Sequence, residues 1–122
     1  MGLIKGIDGV AKTVQAEKDD TLSRTPHLSV QTITGPGAID VVNTVTLLIT
    51  TGTNDAFTLA DGVTEGQLKI ISMKTDGGDG IVTPDNFING TRITFNDVED
   101  TVTLIWQSTG WIAIARQNAI FS

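Results

Sequence analysis

From residue 28 onward the chain never runs far without a turn-forming residue: apolar, β-branched stretches alternate with clusters of glycine, asparagine and aspartate. That rhythm leaves no room for a helix of ordinary length, and it is the pattern of short strands joined by tight connections. The predicted strands are 28–33, 43–50, 56–59, 67–75, 81–83, 91–95, 101–107 and 111–117. Between them, "TGPGA", "TTGTND", "ADGVTEG", "DGGDG", "NDVED" and "STG" each supply glycine or Asx for a turn backbone. About eight strands with no crossover helix predict an all-β body, a small antiparallel sandwich, jelly roll or β-barrel-like unit. In "LKIISM" and "TVTLLIT" apolar residues fall on both faces, so these strands are expected to be covered twice, by another sheet of the same chain or by another subunit.

The clearest pairing lies near the end. Val102, Leu104 and Trp106 share one face of a strand, and Ser108-Thr109-Gly110 turns it into a returning strand in which Ile112 and Ile114 alternate with Ala113 and Ala115. Leu104, Trp106, Trp111, Ile112 and Ile114 are therefore the expected core or subunit-interface residues. The two tryptophans flank one turn, and packing is the favoured role over a stacking platform for a sugar or base.

The texture changes at about residue 27, which divides the chain into an N-terminal arm, 1–27, and a β body, 28–122. In the arm Ile4, Ile7, Val10 and Val14 follow a weak helical spacing that Gly2, Gly6 and Gly9 oppose, so an extended or partly helical segment ordered by what it touches is expected. Its four cations, Lys5, Lys12, Lys18 and Arg24, balance Asp8, Glu17, Asp19 and Asp20. The whole net charge of −6 consequently sits on the body, a sign that repels phosphate backbones and argues against nucleic acid as a partner. No apolar run approaches the ~18 residues of a membrane span, and the first ten residues lack the apolar core of a signal peptide. A single domain of 122 residues has modest burial, which makes self-association an expectation from the start.

Catalytic machinery is hard to assemble from these residues. There is no cysteine or tyrosine, and the one histidine, His27, stands beside Pro26 at the apparent domain edge. Asp76-Gly77-Gly78-Asp79-Gly80 lacks the twelfth-position glutamate of a calcium loop and the Lys-Ser/Thr of a phosphate loop, so it reads as a hairpin turn. Asn96 to Asp100 gathers three acids in four residues, a weak calcium candidate or a solvated turn. No enzyme, cofactor or metal site is expected.

One resemblance goes further. The stretch from about residue 42 to 118 carries "FTLADGVTEGQLKII", then "DGGDGIVTPDNFINGTRITFNDVEDTVTLIW", then a Gly-Trp hairpin. It resembles structural proteins of tailed bacteriophages, particularly small head-decoration or cement proteins, and is similar in style to modules of phage fibres and spikes. The resemblance implies a trimeric or otherwise oligomeric all-β body, a homotrimer first, made in the host cytoplasm and placed on the outer capsid surface of the virion, where it ties neighbouring major capsid proteins together. Its arm would add a strand or short helix to a capsid protein, with Leu3, Ile4, Ile7, Val10 and Val14 as the contacting residues. A fibre segment is expected to continue into further repeats, whereas this sequence stops at Ser122.

Overall fold

In the computed structural model, which describes residues 26–122, ten strands and no helix form. They are β1 (Val30–Thr34), β2 (Gly37–Ile39), β3 (Val45–Ile49), β4 (Asp55–Leu59), β5 (Leu68–Thr75), β6 (Gly80–Pro84), β7 (Ile93–Phe95), β8 (Thr101–Gln107), β9 (Gly110–Gln117) and β10 (Ile120–Phe121). Two five-stranded sheets pack face to face. Sheet A has the order β1-β3-β5-β8-β9, and sheet B the order β10-β7-β6-β4-β2. The all-β expectation holds, and of the sandwich, jelly-roll and barrel alternatives the two packed sheets are consistent with a sandwich, since neither closes into a barrel.

The direction of pairing differs from the expected antiparallel arrangement. β1, β3 and β5 run parallel in sheet A, and β2, β4 and β6 run parallel in sheet B; only β5-β8-β9 and β6-β7-β10 are antiparallel. Parallel neighbours need a long crossover, usually a helix. Here the crossover from β1 to β3 is β2, a strand of the other sheet, and likewise β4 joins β3 to β5. The chain therefore winds between the sheets as a short two-sheet coil before an antiparallel hairpin and a final strand complete it. The two strands that the sequence reading missed, β2 and β10, are three and two residues long, too short for alternation to register.

Winding stacks the corners on one side of the molecule. Gly35 N donates to Ile49 O (2.8 Å), Thr50 N to Thr75 O (3.0 Å) and Asp55 N to Asp79 O (2.9 Å). "DGGDG" is thus a corner carrying the chain from sheet A to sheet B, and the expected hairpin is corrected. Its glycines serve close approach: a Cβ on Gly77 would stand 2.2 Å from the Thr50 carbonyl oxygen, and one on Gly78 2.2 Å from that of Gly52. The buried Thr50 hydroxyl ties the layers, accepting from Gly77 N (2.9 Å) and donating to Gly78 O (2.6 Å).

Between the sheets side chains stack in rows. Phe57, Val82 and Ile93 stand in register in sheet B, facing Thr46, Ile71 and Val102 and the pair Leu48 and Met73 in sheet A. Strict alternation on β3, β5 and β8 sends every second residue into this core.

Candidate functional site

The residues singled out from the sequence separate into three places. Leu104, Trp106 and Trp111 are core residues, with Leu104 and Trp111 fully buried. The indoles meet edge to face at 5.4 Å, and Trp111 Nε1 donates to Ala60 O (2.9 Å). Trp106 fills the space above Gly62, where a Cβ would stand 2.4 Å from its Cγ. Neither ring presents a face for stacking. Ile112 is half-buried on the outer side of sheet A, opposite Ile105, while Ile114 is exposed beside an irregularity in the β8–β9 register. The arm residues Leu3, Ile4, Ile7, Val10 and Val14 lie outside the described residues. His27 is exposed where the body begins.

The acidic turns spend their carboxylates on their own backbone. Asp100 is buried, and its Oδ2 accepts from Asn96 N (2.9 Å) and Asp97 N (3.1 Å); Glu99 holds a left-handed φ of 76° to allow it. Asp55 does the same for Thr51 N (2.8 Å), and Asp76 for Gly78 N (3.0 Å). Among the described residues, no three or more histidines and carboxylates converge as metal ligands would.

One buried charge escaped the sequence reading. Lys69 sits at a core-facing position of β5, in parity with Ile71 and Met73, and its side chain is 1% exposed. The signal was present in that parity but was hidden by treating "LKIISM" as one apolar run. Its Nζ donates to Asn43 O (2.8 Å) and lies 3.8 Å from Asp40 Oδ1, pinning the β2–β3 loop. Burial pushes the ammonium below its usual range, with Asp40 opposing. At Asp40 burial pushes up, but the hydrogen bonds from Asn43 and the charge of Lys69 outweigh it and hold the carboxyl below its ordinary value. The pair is a strut between the buried Lys69 and a partly exposed Asp40.

The sheet edges are the next feature of the surface. β2 and β10 are very short, and the start of β9 is covered: Trp111 N donates to Asn86 O, Ile88 N to Trp111 O, and Ala113 N to Asn89 Oδ1, each at 2.9 Å. β1 is different. Ser29 O and Gly35 N bond toward β3, so by alternation the amides of Val30, Thr32 and Thr34 face away, and no described strand pairs with them. From Leu28 to Ile39 there is no charged residue. Exposed edges are ordinarily protected by charge, proline or brevity; β1 has none of these along its five residues.

No protein-family model matches the sequence, nor does any curated protein.

Proposed function

We propose that this chain is a structural virion protein that binds the outer surface of a phage capsid as a decoration or cement protein, bridging neighbouring major capsid proteins. The observation that carries this reading is the uncharged β1 edge, unpaired among the described residues, which follows an N-terminal arm, 1–27, with spaced apolar side chains. Strand addition is a mode of attachment that draws on main-chain hydrogen bonds and shallow apolar pockets, and it needs no catalytic or ligand-binding residues. The use of acidic side chains for internal turns, and of both tryptophans for the core, agrees with a body built as a platform.

In this reading the copies of a homotrimer each contribute an arm with Leu3, Ile4, Ile7, Val10 and Val14. Once one arm is bound the others attach within the same particle, which raises avidity over a single arm by ~10²–10⁴. Cementing follows because separating capsid subunits then breaks several contacts together.

The test is co-sedimentation with capsids of the source phage stripped of accessory proteins, comparing the full chain with residues 27–122. The core lies wholly within 39–119, so the shorter chain is expected to remain folded, as circular dichroism would verify. Saturable binding by the full chain and at least a hundredfold weaker binding by the shorter one is the expected result. Absence of binding by the full chain would sink the decoration reading.

A further inference from the structure

The outer face of sheet A has the composition of a covered surface. Val45 and Ile70 stand side by side in the register, as do Leu68, Ile105 and Ile112 across three strands, with Leu47 nearby. All six point away from sheet B, since they alternate with the buried inner residues, and all are half-buried. The outward positions of sheet B carry fewer large aliphatics: Ala38, Ala56, Thr58, Thr83 and Thr94 are small or hydroxylated, with Ile81 half-buried and Ile120 exposed among them. A single solvated sheet face ordinarily resembles the second of these, with polar residues alternating against the core.

Charge indicates what covers the first. Ten carboxylates lie between Leu28 and Ser122 against four cations, Lys69, Lys74, Arg92 and Arg116. None of those ten carboxylates is on a strand of sheet A. On so acidic a body most surfaces oppose like charge to like charge when two copies meet. The strands of sheet B carry only the buried Asp55, so both outer faces are free of carboxylate, and of the two it is the outer face of sheet A that offers six large aliphatic side chains for copies to approach through.

We infer that the outer face of sheet A is the surface through which copies of this chain associate, with Ile70, Ile105 and Ile112 at its centre. Around a threefold axis three such faces turn inward and their aliphatic rows pack against one another, as the inner faces of the two sheets do. The inference rests on the self-association in the reading above and is independent of capsid attachment.

Analytical ultracentrifugation of the full chain at micromolar concentration tests it. The wild type is expected to sediment at an integer multiple of 12.9 kDa, and Ile105→Glu at 12.9 kDa with an unchanged circular dichroism spectrum. Thr58→Glu, which adds the same charge to the outer face of sheet B, should leave the oligomer intact. If Ile105→Glu fails to fold, Thr103→Glu on the same face takes its place, with the same expected loss of assembly. A wild type that is monomeric throughout, or an oligomer that survives the charge on sheet A, overturns the inference. A wild-type oligomer that ignores capsids leaves it standing and sinks only the decoration reading; a monomer that binds capsids does the reverse.

Discussion

At the scale of single residues the structure is most sensitive where backbones of successive windings touch. Gly77 has no positive φ, so its role is the 2.2 Å approach of a would-be Cβ to Thr50 O. Gly77→Ala is expected to lower the unfolding free energy by about 2 kcal/mol, since a stacked corner must shift to admit the methyl group; a urea midpoint within error of the wild type would contradict this. The Lys69–Asp40 strut has a pH signature. Asp40 has its folded value below the ordinary 3.8, so its contribution is present above pH 3.8 and lost as pH falls through the lower folded value. Asp40→Asn should therefore flatten part of the acid limb of a stability-against-pH curve. Lys69 is the opposite case: its folded value lies below 10.5, the unfolded chain binds more protons there, and stability rises with pH up to 10.5. Lys69→Met should abolish that alkaline rise. Glycine is legible in a sequence as a turn signal, but which carbonyl it must clear depends on a winding 27 residues earlier and cannot be read locally.

Among the elements, the turn 96–100 shows how a motif can be present and idle. Its carboxylates attract a metal reading, yet Asp100 is taken up by the amides of Asn96 and Asp97. Asp100→Ala would remove the acceptor of two part-buried backbone bonds and is expected to cost about 1 kcal/mol in chemical denaturation, with Asp100→Asn milder because an acceptor oxygen remains. The strands themselves were largely legible. Those with strict alternation, β3, β5 and β8, lie close to their predicted bounds, because burial of one face imposes a period of two on the chain. β2 escaped because "GAI" contains no alternation to detect, and β10 because two residues cannot display a period. The hairpin at Ser108-Thr109 was legible for a different reason: its turn joins neighbours in sequence, so local chemistry is sufficient to specify it.

For the whole molecule, winding places β5 and β8 at the centre of sheet A and β1 at its margin. Amides of Ile71, Met73, Val102 and Leu104 should exchange slowest with solvent, whereas the outward amides of Val30, Thr32 and Thr34 should exchange fast in the free protein. Protection of those three on adding capsids would place the partner strand at β1; protection in the free protein would show that the edge is already paired. Tryptophan emission should be blue-shifted and unmoved by oligosaccharides, because both indoles lie within the core. By itself the sequence determined that the chain would be β, where most strands lie, that its tryptophans pack near one hairpin, and that its acidity resides in the body. Those properties follow from local propensity, residue parity and formal charge. Only the tertiary structure decided that the strands wind in parallel pairs, that "DGGDG" spans two sheets, that Lys69 is a buried strut and that β1 is the marginal strand of sheet A among the described residues. Alternation reports which side of a strand is buried, and carries no information on which strand lies beside it or in which direction that neighbour runs.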